Sequence, residues 1–252
     1  MLDVDLAAGP RGDLSVYPVT WAEPWGVDAF VTDRFGGVSE GPYTELNLAL
    51  HVGDDEARVL ENRRRVALAV GVPAERLVIA HQVHGRDAVR VTDPFVGDAD
   101  ALVTTSSDLA LAVLVADCVP VLLADAASPL VGVAHAGWRG LASGVLASAV
   151  QQFPDAVNLR AFVGPAVSQD GYQIGPEVAQ AFTHIPGAVV PDVGDRSRLD
   201  LKRVAVAQLV ALGLTEENIV TCRQWTDGGE TFFSDRSARP CGRFGLIARR
   251  RS

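Results

Sequence analysis

The chain has 252 residues, of which 48% are hydrophobic and 21% charged, a globular composition that excludes a disordered chain. Lys plus Arg is 22 against 31 Asp plus Glu, and the net charge of −9 argues against nucleic acid as a partner. Lys202 is the single lysine, which excludes a lysine-bearing phosphate loop and confines any Schiff-base chemistry to that residue.

The first residues, Met1-Leu2-Asp3-Val4-Asp5, are acidic and lack a long apolar core, unlike a signal peptide. The longest apolar run, 109–116, is far short of the roughly 20 residues that span a bilayer, so no membrane partner is expected. Three cysteines, an odd and sparse number, do not form a secreted disulfide framework. A cytoplasmic protein is expected. No repeat or low-complexity linker divides the chain, so residues 1–252 read as one domain with a variable segment over 1–25.

In chain order, a strand is expected over 27–32, followed by a glycine-rich loop. Gly37-Val38-Ser39-Glu40-Gly41 matches the nucleophile-elbow pattern, but Pro42 follows and no helix start does, so a hydrolase reading fails on context. The loop instead offers backbone N–H groups, Arg34 and Ser39 to a substrate. A helix is expected over 55–70, capped by Asp54 or Asp55 and ended by Gly71. Strands follow over 77–83, 88–91, 101–104, 109–116, 119–124 and 130–135. A helix is then expected over 138–153, a strand over 159–163, and a helix opened by Gly175-Pro176-Glu177. The cleanest helix is 200–212, where Leu201, Val204, Ala205, Leu209 and Leu212 keep the i, i+3, i+4 spacing until Gly213. Strands over 219–222, 231–233 and 244–248 complete the chain. Many strands and few helices favour an α+β class: mixed sheets packed as a layered α/β sandwich with outer helices.

Two of the five histidines close apolar strands at glycine turns: His84 before Gly85, and His135 before Ala136-Gly137. His81, three residues from His84, would face the other way in an extended strand. Cys118 and Asp117 break an otherwise apolar stretch, and a buried carboxylate needs a partner or a task. Pro120 points to a strand edge or an irregularity. Two histidines and a cysteine suit zinc, and three ligands leave the fourth position open, as at catalytic sites. No sequential metal motif is present, so these ligands would have to converge through the fold.

Gln82-Val83-His84-Gly85, Ala116-Asp117-Cys118-Val119-Pro120-Val121-Leu122, Ala134-His135-Ala136-Gly137-Trp138-Arg139-Gly140, Gly164-Pro165-Ala166-Val167 and Gly242-Arg243-Phe244 together resemble the YfiH family. Thr32 to Ser39, Leu46-Asn47-Leu48 and Asn62-Arg63 also fit, so the likeness covers nearly all of the chain after about residue 25. Members are described variously as purine nucleoside phosphorylases, polyphenol oxidases or laccase-domain proteins. The resemblance implies an α/β sandwich and zinc held by His84, Cys118 and His135. It implies purine nucleoside and phosphate as partners: phosphorolysis of adenosine, inosine and methylthioadenosine, with adenosine deamination. The chain departs from the family at Gln173, Ser237 and Arg223.

Within that reading Asp117 accepts a proton or orients a ligand. Arg139 or Arg34 holds phosphate, Asn47 reaches sugar or base, and Ser39 lines the substrate. Copper is disfavoured, because five histidines are few for a multicopper oxidase and Met1 is the sole candidate for an axial Met. The alternative is a cysteine amidase acting on a cell-wall precursor peptide, with Cys118 as nucleophile and His135 as base. A third reading is a non-catalytic zinc or binding module.

Overall fold

The computed structural model describes residues 2–251. Strand Ala110–Val115 shows how the layers arise. Its neighbours are strands Phe244–Arg250 and Leu77–Ile79 in a six-stranded sheet completed by Val27–Thr32, Leu14–Pro18 and Gly9–Arg11. Leu111, Val113 and Val115 face one way, into a core shared with a second sheet. Ala110, Ala112 and Leu114 face the other way, beneath helix Glu56–Ala69. A strand covered on both faces has no polar side, which is why the run reads as continuously apolar.

The second sheet has seven strands in the order Leu2–Val4, Ile219–Cys222, Leu159–Val163, Val119–Asp125, Val131–Ala136, Ala101–Thr104 and Ala88–Arg90. Leu122 and Ala124 point to the inter-sheet core, Val121 and Leu123 to the opposite face. That outer face is covered by helices Trp138–Ser143, Val145–Val150 and Leu201–Ala211. The order is therefore helix, sheet, sheet, helices: an α+β layered sandwich. A small third sheet joins Gln173–Ile174, Ser197–Leu199 and Val189–Pro191. Among the described residues no helix is long and apolar enough to cross a membrane.

Local chemistry sets the helix ends. Asp55 caps the first helix by accepting the Arg58 N–H at 3.0 Å, and Asp200 caps Leu201–Ala211 by accepting the Arg203 N–H at 2.9 Å. Three expectations need correction. The helix expected over 138–153 is two short helices, because Gly144 adopts φ +95 between them. The 77–83 strand stops at Ile79, after which only His81 keeps a bridge, to Asp98. Residues 231–233 form no strand. Phe232 and Phe233 are carried into the core by an irregular loop, and Phe232 packs 5.4 Å from Tyr17 and 4.9 Å from Phe244.

The first 25 residues also contribute regular structure. Leu14 and Val16 are buried while Ser15 is exposed, a short period-two pattern on a paired strand. Leu2–Val4 forms the parallel edge of the seven-stranded sheet.

Candidate metal centre

The crossover from one large sheet to the other builds the site. Strand Ala110–Val115 belongs to the six-stranded sheet and Val119–Asp125 to the seven-stranded one, so residues 116–118 carry the chain between layers. Asp117 takes φ +82 to make that turn, costly for a residue with a side chain. Its anchors are strong. Asp117 Oδ1 accepts the Thr226 hydroxyl at 2.6 Å, Oδ2 accepts the Arg236 N–H at 2.7 Å, and its carbonyl accepts the Val167 N–H at 3.0 Å. Of the edge or irregularity expected at Pro120, the structure has the irregularity: it lies in an interior strand just after this turn, where its carbonyl accepts the Gly164 N–H at 2.9 Å.

Register then brings His135 to Cys118. Ala136 pairs with Val119 and His135 with Pro120 across the antiparallel ladder. The turn beyond this pair places Gly137 against the thiol: a Cβ there would lie 2.8 Å from Cys118 Sγ and 3.2 Å from His84 Cδ2. Glycine at 137 is thus what leaves room for the sulfur.

His84 arrives from the other side, on a loop where it adopts φ +57. Asp100 holds that loop. Its carboxylate accepts the backbone N–H groups of Val83, His84 and Gly85 at 3.2, 3.1 and 2.7 Å. The same carboxylate meets His135 Nδ1 at 2.8 Å. A carboxylate can only accept here, so Nδ1 carries a proton, and Nε2 is the nitrogen that faces Cys118 and can give up its proton to a metal. One acceptor for every nearby donor explains why Asp100, only 1% exposed, is stable as an anion, its carboxyl held below the usual range despite burial.

The result is a cluster in which one ligand atom each from His84, Cys118 and His135 lies within 4.8 Å of the others. His84 is exposed, Cys118 half-buried and His135 buried, so the cluster opens at a rim. The two imidazoles meet edge to face with centroids 4.7 Å apart. Burial pushes the Cys118 thiol up, but His135 and His84 outweigh it and bring it down to about 6. Burial lowers His135, while Cys118 and Asp100 raise it to about 9. The three donors form a group that could bind a metal ion, and no second such group occurs among the described residues.

The surrounding residues divide. Arg139 is exposed, its guanidinium 4.4 Å from the Trp138 ring centroid. Asp117 is 6% exposed and tied down as described. Arg34 donates to the carbonyls of Thr44 and Gly229 and lies over Phe233. Ser39 donates to Asp54 Oδ2 at 2.6 Å and accepts from Asn62 at 2.9 Å. Asn47 donates to Asp54 and the Ala49 carbonyl and accepts the N–H groups of Ala49 and Arg243. These last three are bound into internal hydrogen bonds.

Sequence reasoning passed over Asp100, Tyr172 and Arg236. Arg236 lies 4.7 Å over the Tyr172 ring. Burial first, then the nearby Cys118, pushes the Tyr172 hydroxyl up to about 12. Asp100 immediately precedes the buried strand Ala101–Thr104, a position Asp87 shares before strand Ala88–Arg90 while remaining exposed. His51, also passed over, is lowered by partial burial and then by the positive charge of Arg243, His81, Arg63 and His84. His51 is therefore neutral at neutral pH, beside Arg63 and Arg243, the latter paired with Asp235 at 3.2 Å.

The family model described as "Multi-copper polyphenol oxidoreductase laccase" matches residues 28–250. A protein of Escherichia coli (strain K12) named purine nucleoside phosphorylase YfiH is 38% identical over 229 residues, 88% of this chain and 93% of that one. The chain belongs to the YfiH, laccase-domain family. Two solved structures agree with the fold. YlmD from Geobacillus stearothermophilus matches with TM-score 0.90 and 32% identity, covering 99% of this chain and 100% of its own. Bacillus licheniformis YfiH matches with TM-score 0.89 and 30% identity, covering 96% and 98%. In this YfiH-family chain the family model's copper-oxidase description meets a donor set of two histidines and one cysteine.

Proposed function

We propose that this protein is a zinc-dependent purine nucleoside phosphorylase acting on adenosine, inosine and methylthioadenosine, with adenosine deamination as a second activity. The observation that carries the reading is the convergence of His84, Cys118 and His135 at an open rim. The naming of the Escherichia coli relative supports it. His84, Cys118 Sγ and His135 Nε2 would hold the ion, and Gly137 keeps the sulfur accessible. A bound zinc ion supplies a Lewis acid, a fixed positive charge beside the reacting group. Copper is the less favoured metal, since the other histidines, His51, His81 and His184, join no second cluster among the described residues.

In phosphorolysis a phosphate oxygen attacks the anomeric carbon, the C–N bond breaks, and its electron pair leaves with the base, which takes up a proton. The guanidinium groups of Arg63 and Arg243, whose charges reach His51, draw the phosphate towards the rim. Arg139, exposed beside it, is a further phosphate contact. Tyr172 stays protonated at neutral pH and can donate a hydrogen bond to the substrate. Asp117, with both oxygens occupied, positions Cys118 rather than moving protons. Ser39, Asn47 and Arg34 shape the wall behind the substrate. In deamination, water adds to the ring carbon bearing the amino group and ammonia leaves.

One observation favours the amidase as a second reading. Asp100, His135 and Cys118 form a carboxylate–imidazole–thiolate series, with the thiol brought to about 6. Chromatography of adenosine with and without phosphate separates the two. Phosphate-dependent adenine, absent in Cys118→Ala, supports phosphorolysis. Intact adenosine with zinc-loaded protein overturns it, and hydrolysis of a peptide amide by metal-free protein would install the amidase.

A further inference from the structure

A separate cavity of about 720 Å³ lies on the helix-covered face of the seven-stranded sheet, near its Leu2–Val4 edge. That volume falls within the roughly 300–1,000 Å³ of small-molecule sites. Ile185, Val206, Ala207 and Val210 give it apolar walls, and Thr221 and Trp225 complete the lining used below.

Lys202 fixes one wall. Its ammonium donates to the carbonyls of Cys222 and Gln224 at 2.8 and 2.7 Å and sits 3.8 Å from the Trp225 ring centroid. A compact ammonium can serve two carbonyls and a ring face together, whereas a planar guanidinium is broader. That accounts for the lone lysine in a chain that otherwise uses arginine. The opposite side of the turn is tied down where Trp225 bridges Ala166 and the Thr226 N–H bonds the Ala166 carbonyl at 3.0 Å. The indole is therefore held in place while remaining 41% exposed. It is a rigid aromatic surface facing a cavity.

Thr221 supplies the second observation. It is 8% exposed, and its hydroxyl is the one buried side-chain polar atom without a hydrogen-bond partner among the described residues. A buried hydroxyl normally has a partner. The charges provide the third. Asp3, Asp200 and Glu216 face Lys202, Arg203 and Arg223 around the cavity, a balance of signs that does not select an anion.

We propose that this cavity binds a neutral, planar aromatic heterocycle of nucleobase size, stacked on Trp225 and hydrogen-bonded to Thr221. Stacking on a fixed aromatic face accepts any such ring, and the hydroxyl, as donor or acceptor, matches either a ring nitrogen or an exocyclic group. The site does not depend on the metal centre or on the reaction proposed for it.

Calorimetric titration of the full-length, metal-loaded protein with adenine tests this. Saturable binding is expected, unchanged in Cys118→Ala and at least tenfold weaker in Val206→Phe, which fills the cavity, and in Trp225→Leu. Thr221→Val, which keeps the shape and removes the hydroxyl, is expected to weaken it severalfold. Adenosine monophosphate, the same ring carrying charge, is expected to bind at least tenfold more weakly. Circular dichroism establishes that each variant is folded, and adenosine turnover in Val206→Phe, expected to persist, is scored separately. Absence of saturable binding overturns the proposal. So does binding that survives Val206→Phe and Trp225→Leu, or that disappears with Cys118→Ala, which would place adenine at the metal rim.

Discussion

The Ser39–Asn47–Asn62 cluster and the His84–Cys118–His135 cluster are both polar groups set into an apolar sandwich, and they end in opposite states. Asn62 donates to Ser39 Oγ and to the carbonyls of Glu45 and Asn47, and accepts the Val38 N–H. Ser39 and Asn47 in turn share Asp54. Every strong hydrogen-bonding group has a partner of the same chain, so the cluster locks a loop to a helix. At the metal rim a single carboxylate, Asp100, absorbs the backbone donors and one imidazole nitrogen, and the remaining ligand atoms of His84, Cys118 and His135 face one another. Saturation marks scaffold, while a thiolate and imidazoles whose remaining ligand atoms converge mark a place where a cation can replace a proton.

The largest expected effect comes from Cys118→Ala. Metal content, read by mass spectrometry of the purified protein, should fall to near zero. Phosphorolysis should fall by about 1,000-fold or more, since a catalytic metal contributes several kcal/mol and each 1.4 kcal/mol is tenfold. Retained metal would mean that the cluster is not the centre.

Asp100→Asn comes next. It keeps the shape but loses the anion behind His135, and zinc affinity in a chelator competition should drop roughly 10- to 100-fold. The same contrast can be read by pH. In metal-stripped protein Cys118 is a thiolate above about pH 6, so its alkylation rate should rise through that value. Asp100→Asn removes a support for the charged His135, and the midpoint should move upward. An unchanged midpoint would detach Asp100 from the pair.

Asn62→Ala probes the other cluster. It strands several buried groups, and urea unfolding should register a loss of about 2–3 kcal/mol, with turnover by the folded protein unchanged. A loss of turnover without a loss of stability would move that cluster into the active site. Arg139→Ala should be smallest: a rise of up to about fivefold in KM for phosphate at constant kcat, the size of an exposed charge effect of under about 1 kcal/mol.

The metal cluster was legible because each of its residues interrupts a strongly apolar stretch at a turn. Asp100 was harder to read. Its neighbours Asp98 and Asp87 are also acidic, and nothing local distinguishes the one that is buried from those that are exposed. Arg34, Ser39 and Asn47 read as substrate contacts because they are polar residues in or beside a glycine-rich loop, and the internal hydrogen bonds that also occupy them were not legible. Their hydrogen-bond partners lie 2 to 196 positions away, and the distant ones leave no mark on the loop itself.

Strands such as Val27–Thr32 and Ala101–Thr104 and the cap at Asp200 are set by side-chain pattern and local hydrogen bonding, and those are properties of neighbouring residues in the chain. The break at Gly144 and the loop carrying Phe232 and Phe233 are not. Nor is the short distance between Cys118 and His135. It follows from the register between two neighbouring strands of one sheet, from the turn by which the chain enters that sheet, and from the absence of a Cβ at Gly137. Local energies choose helix or strand, but a metal centre is made of lone pairs whose meeting depends on the packing of whole layers, and only the tertiary structure decides that.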